Sequence, residues 1–302
     1  MCGIAGLFSK SSNVEENLGA HLSAMLGQLA DRGPDSAGVA FYRDPAPVGS
    51  CKVSLFSPDE DYPWHELHTE LSESFGEVSD PEIRATHALF VVGDDGDQLQ
   101  RWLPALHPEL RVMSVGERIE IYKEAGDPRD FVVRFGLDEI SATHALGHTR
   151  MATESRVTTE HSHPFSTGRD LCLVHNGSLS NHNRLRVFLR GQGIQFQTDN
   201  DSEVAAGFLT WRLSEGDDIE TALERCLTDL DGFYTFAVGT ADGFAVLRDP
   251  IACKPAVMAE TDEWVAMASE YRAIAALPGA EDARQWEPEP GRVYSWQRTK
   301  VA

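Results

Sequence analysis

The chain has 302 residues, 41% hydrophobic and 9% aromatic, enough apolar material for one large domain or two ordinary ones and too much for a disordered chain. Its 26 Lys and Arg against 48 Asp and Glu leave a formal charge of -22, a field that repels phosphate backbones and anionic headgroups and argues against nucleic acid and membrane surfaces as partners. The cysteines, Cys2, Cys51, Cys172, Cys226 and Cys253, are odd in number and lack C-x-x-C spacing. With no leader-like N-terminus and no apolar run of about 18 residues, they point to a reducing, cytoplasmic setting.

The chain opens Met1-Cys2-Gly3-Ile4-Ala5-Gly6, so removal of the initiator methionine would leave Cys2 with a free α-amine beside its thiol. An α-amine titrates at about 7.7–8 and is partly unprotonated at neutral pH, whereas a thiol at about 8.5 needs a base to become a nucleophilic thiolate. One residue would then carry both nucleophile and base. Taken alone, a cysteine here reads as a small buried apolar residue. The rest of the chain changes that reading.

A short apolar run predicts a buried strand over 4–8. Leu18, Leu22, Met25, Leu26 and Leu29 recur at helical spacing and predict a helix of about sixteen residues. A breaker-rich loop, Asp31-Arg32-Gly33-Pro34-Asp35, leads into a strand over 39–42. Residues 44–140 read as an inserted α+β subdomain: irregular around Pro45, Pro47, Pro58 and Pro63, then an acidic tract over 59–77 that reads as a solvated face or mobile loop. A strand over 88–92, a helix over 98–106 and a half-buried strand over 118–123 follow.

After a strand over 142–146 comes Gly147-His148-Thr149-Arg150-Met151-Ala152-Thr153. His144 and His148 stand four apart, but Ala145 occupies the place of a zinc protease's glutamate, so zinc is rejected. His161 and His163 have no carboxylate or thiol at ligand spacing and read as local hydrogen-bonding groups. A buried strand over 171–174 ends in His175-Asn176-Gly177, where glycine allows a sharp turn and the Asn amide and the following N–H can aim at one point. Helices are predicted over 183–190 and from 201, after the polar run Thr198-Asp199-Asn200. The last third reads as a hairpin over 233–248, further strands over 254–258 and 264–268, a short helix opened by Ser269-Glu270, and a closing strand over 293–296. Hairpins with interspersed helices imply an α+β fold of two packed sheets covered by helices.

Taken in order, Cys2-Gly3-Ile4-Ala5-Gly6, Arg32-Gly33-Pro34-Asp35, 147–153, His163-Pro164-Phe165, Asn176-Gly177-Ser178-Leu179-Ser180-Asn181 and Asp201-Ser202-Glu203 resemble the class II glutamine amidotransferases, which are N-terminal-nucleophile hydrolases. Arg248-Asp249-Pro250 with Lys254-Pro255, and Ala268-Ser269-Glu270, are weaker echoes. The resemblance implies a four-layer αββα sandwich over 2–302, with the 44–140 subdomain inserted in it. It implies that Cys2 attacks the L-glutamine side-chain amide and that Asn176 and Gly177 form the oxyanion hole. Arg150, assisted by Thr153, would clamp the substrate carboxylate, Asp201 would take its ammonium group, and Arg32 and His148 would support the pocket. No cofactor or metal is implied on this chain. The organisation resembles the glutaminase subunit of glutamate-synthase-like complexes, N-methylglutamate synthase in particular, whose partners are a flavin-binding (FMN) synthase subunit and a Gly-rich β-helix subunit. Alternatives are a non-catalytic scaffold that keeps the fold, or another N-terminal-nucleophile amidase.

Overall fold

In the computed structural model the described residues are 2–93, 96–152 and 157–298, the side chain of Asp97 excepted. The first half runs β1 (Gly3–Ser9), α1 (Ser12–Glu16), α2 (Leu18–Leu29), β2 (Ser36–Tyr42), β3 (Ser50–Phe56), α3 (Trp64–Phe75), β4 (Glu82–Arg84), β5 (His87–Gly93), α4 (Gly96–Leu106), β6 (Arg111–Gly116), β7 (Ile119–Ala125), α5 (Pro128–Arg134) and β8 (His144–Arg150). The second runs β9 (Phe165–Gly168), β10 (Leu171–Leu179), α6 (His182–Gly191), α7 (Asp201–Ser214), α8 (Ile219–Asp229), β11 (Gly232–Thr240), β12 (Gly243–Arg248), β13 (Val257–Glu260), β14 (Trp264–Ala268), α9 (Tyr271–Ile274), β15 (Arg284–Trp286) and β16 (Val293–Gln297).

Two antiparallel sheets form the centre. One has the order β15-β13-β14-β1-β8-β2-β7, the other β16-β12-β11-β10-β9. Strand β1 shows why its run is continuously apolar: Ala5 and Leu7 face the α2 side with Leu22 and Leu26, while Ile4 and Phe8 face the second sheet with Val174, Phe244 and Val246. A strand buried on both faces has no polar side to alternate with. The outer face of the second sheet, including Leu173, Tyr234, Phe236 and Leu247, packs on Val204, Phe208, Leu209 and Leu223 of α7 and α8. Helix, sheet, sheet and helix thus stack as the four layers the sequence implied.

The predicted sixteen-residue helix is two elements. Ser11 caps α1 by accepting from the Val14 N–H, and α2 begins after Asn17. Within 44–140, β3, β4, β5 and β6 make a separate four-stranded sheet in the order β4-β5-β3-β6. Strand β7 instead closes the edge of the seven-stranded sheet, and Phe131 of α5 joins the core beneath α2. The acidic tract over 59–77 is not a mobile loop. It contains α3, whose Trp64, Leu67 and Leu71 are buried against Val53, Ala88 and Phe90 while its acidic face meets solvent.

Candidate active site

The register of the seven-stranded sheet brings Cys2 to the site. Strand β1 lies between β8 and β14, with Gly3 opposite Thr149 and Ala5 opposite Ala268, so Cys2 emerges beside Arg150 at the end of β8 while Ser269, just past β14, stands beside Ile4. Its carbonyl accepts from Arg32 Nε at 2.6 Å and from Asn176 Nδ2 at 3.2 Å. Its half-buried thiol lies 3.7 Å from the Met151 carbonyl. Arg32 also pairs with Glu270, which Arg272 holds from the other side at 2.7 Å. The Ser269 hydroxyl accepts from the Ile4 N–H at 2.9 Å and from Asn176 Nδ2 at 3.1 Å. The residue bearing the thiol is therefore held at once from the turn after α2, from the middle of β10 and from the end of β8.

Asn176 and Gly177 come from β10 of the opposite sheet. Gly177 adopts φ +154, and a Cβ there would stand 2.0 Å from the Phe233 carbonyl oxygen, so no side chain fits. Asn176 Oδ1 lies 3.0 Å from His148 Nε2. Burial drives the His148 pKa down to about 3, so the ring is neutral, with its Nε2 facing the amide oxygen. Both amide hydrogens of Asn176 are engaged, by Cys2 and Ser269. An incoming oxyanion would share or replace the bond to the Cys2 carbonyl.

Arg150 is buried at the end of β8. The Asp35 N–H donates to the Arg150 carbonyl at 3.0 Å, and the Asp35 carboxylate accepts from the Ala152 N–H at 2.7 Å, tying the loop before β2 to the end of β8. Burial lowers the Arg150 pKa, while the neighbouring Cys2 thiol and Asp35 carboxylate pull it back up. The guanidinium is thus within electrostatic reach of the thiol. Met151 is exposed above them, and Thr153 lies outside the described residues.

Asp201 opens α7, where Asn200 accepts from the Ser202 N–H. Its Oδ2 accepts from the Leu179 N–H at 2.9 Å, and its Oδ1 lies 3.3 Å from the Ser202 hydroxyl. It therefore approaches from three residues farther along β10 than Asn176. Cys2, Arg32, His148, Arg150, Asn176 and Gly177 form one contiguous group, and Asp201 joins it through Leu179 and Ser202.

The segment carrying His163 is pinned from β7. Lys123 is fully buried, donates to the Glu160, Ser162 and Pro164 carbonyls at 3.2, 2.9 and 3.3 Å, and has its pKa lowered by burial to about 8. Sequence reasoning gave no part to Lys123, Ser202 or Ser269. The last two sit inside the Asp201-Ser202-Glu203 and Ala268-Ser269-Glu270 runs, which were the available signal. His161 bonds Thr158 and Asp199, and among the described residues no three His, Cys, Asp or Glu groups converge as metal ligands. A cleft of about 450 Å³ between α4, β6 and β9 contains none of the residues around Cys2.

Residues 148–276 match a glutamine amidotransferase domain family. The chain is 52% identical over 303 residues to the glutamine amidotransferase-like protein GlxB of Rhizobium meliloti, covering 100% of both. It is 30% identical to a putative glutamine amidotransferase of Methanothermobacter thermautotrophicus, covering 97% of this chain and 99% of that one. Among solved structures, the glutamine phosphoribosylpyrophosphate amidotransferase of B. subtilis superposes with a TM-score of 0.62 at 20% identity, covering 98% of this chain and 47% of that one, a likeness of fold. This chain spans about half the length of that enzyme. No helix among the described residues is long and apolar enough to cross a membrane. A relative matched end to end at this identity, together with the fold, decides the assignment: the chain belongs to the class II glutamine amidotransferases, glutamine-hydrolysing enzymes with the N-terminal-nucleophile fold.

Proposed function

We propose that Cys2, freed of Met1, attacks the side-chain carbonyl carbon of L-glutamine, forming a thioester with release of ammonia; water then cleaves the thioester C–S bond, giving L-glutamate and restoring the Cys2 thiol. The α-amine of Cys2 takes the thiol proton and returns it to the departing nitrogen. Asn176 Nδ2 and the Gly177 N–H stabilise the oxyanion, an arrangement in which one donor is worth about 2.7–4 kcal/mol. Arg150, with Thr153, takes the substrate carboxylate and Asp201 its ammonium group, while Arg32 and His148 hold Cys2 and Asn176.

The observation that carries this reading is the convergence on Cys2 of Asn176, bonded to its carbonyl, and Arg150, next to it in the β1–β8 register. The ammonia passes to a partner of the glutamate-synthase-like kind, N-methylglutamate synthase in the finer reading, with a flavin on the synthase subunit and a Gly-rich β-helix subunit beside it. No cofactor is assigned to this chain. Mass spectrometry of the mature N-terminus with a glutamate-release assay, alone and with co-purified subunits, tests both levels. A processed, assembled chain that releases no glutamate overturns the catalytic reading. Co-purification with a different type of synthase overturns the partner assignment.

A further inference from the structure

Behind Asn176 lies a group of four side chains, His148, His163, His175 and Ser202, each 6% exposed or less. The Ser202 hydroxyl is its hub, 2.9 Å from His163 Nε2, 2.8 Å from His175 Nδ1 and 3.3 Å from Asp201 Oδ1. His148 stacks on His163 with ring centroids 4.1 Å apart and reaches Asn176 Oδ1. Three ring nitrogens, His148 Nδ1, His163 Nδ1 and His175 Nε2, have no hydrogen-bond partner among the described residues.

Counting hydrogens resolves this network. A hydroxyl owns one hydrogen, a neutral imidazole owns one N–H, and a carboxylate only accepts. If Ser202 donated to either ring, that ring's own hydrogen would sit on its far nitrogen as a buried N–H with nothing to bond, and Asp201 Oδ1 would lose its donor. If Ser202 donates to Asp201, both rings donate to Ser202, and every unpartnered nitrogen is a bare lone pair, the less costly condition. The same logic places the His148 hydrogen on Nε2, facing Asn176 Oδ1. Burial lowers the pKa of all three rings, which agrees with their being neutral.

We propose that Ser202 is a positioning residue that links the two ends of the substrate site: it donates to Asp201 while His163 (Nε2–H) and His175 (Nδ1–H) donate to it, and His148 (Nε2–H), packed on His163, sets the Asn176 amide. This rests on the roles proposed above for Asp201 and Asn176. Nitrogen-15 NMR of the histidine-labelled full-length chain at pH 7.5, assigned by single histidine replacements, should show those three tautomers, all neutral. An opposite tautomer on any of the three, or an imidazolium, overturns the network. Ser202→Ala should raise KM for glutamine about tenfold with kcat changed less than about threefold, the loss of one hydrogen bond to a charged group. An unchanged KM, or a loss confined to kcat, overturns the positioning role. Absence of turnover in the unmodified chain would instead count against the glutaminase reading, with the tautomers still deciding the network.

Discussion

The side-chain nitrogen of Asn176 lies 3.2 Å from the carbonyl of Cys2, so the residue that carries the thiol and the residue proposed to face the developing oxyanion are bonded across the two sheets. Asn176→Ala removes that tie and the donor together. We expect kcat to fall by about 10²–10³, the usual cost of one oxyanion donor, with KM for glutamine less affected. Steady-state glutamate release checks this, and an unaltered kcat would remove Asn176 from the chemistry.

Cys2→Ala should abolish glutamate release while leaving glutamine binding measurable by calorimetry, because the thiol is half-buried at a strand end and its backbone contacts persist. Residual turnover well above background would mean that another group attacks the amide.

Arg150→Lys keeps the charge but loses the two-pronged geometry suited to a carboxylate. At about 1.5–3 kcal/mol for a hydrogen bond to a charged group, KM should rise about 10- to 150-fold with kcat changed less. Competition by glutamate, which shares the carboxylate, should weaken in parallel; inhibition of unchanged strength would place the carboxylate elsewhere.

Gly177→Ala forces a Cβ to within 2.0 Å of the Phe233 carbonyl and a side chain into φ +154. Overpacking of this kind costs about 1–3 kcal/mol, so the melting temperature should drop and kcat fall with it. A variant as stable and active as the parent would show that β10 and β11 separate readily here.

His87, His144, His148, His163 and His175 are buried, and burial holds the pKa of each below 6.5, to about 3 for the first three. The unfolded chain therefore binds more protons than the native one between about pH 6.5 and the folded values. The stability they contribute is intact above pH 6.5 and is lost as pH falls toward 3. Urea unfolding followed from pH 7.5 to 5 should show stability dropping below pH 6.5, at about 1.4 kcal/mol per pH unit for each proton taken up. A flat profile down to pH 5 would mean that these rings are charged in the native state.

The layers were legible because both central sheets announce themselves in apolar runs such as residues 4–8 and 171–174; the turn expected at Asn176-Gly177 is absent, since β10 runs on through both to Leu179. What stayed hidden was contact. Nothing in sequence spacing says that Ser202 stands between His163 and His175, since these residues meet only when α7 packs on β10. Strand β3 was overlooked for another reason: Cys51, Val53 and Leu55 do alternate toward the inserted core, but the neighbouring prolines and glycine masked a period of two. In α3, three buried apolar positions among acidic neighbours carried the helical signal, and net charge hid it.

Strand β1 sits in the interior of its sheet, bonded on both sides and buried along its whole length. A reactive group mounted on the tip of such a strand is carried by one of the stiffest parts of the molecule, unlike most chain ends. Any peptide fused ahead of Cys2 would be unable to peel the strand away and would start beside Arg150 and Asn176, the groups proposed to hold and turn over glutamine. An affinity tag at that end would act as a tethered plug.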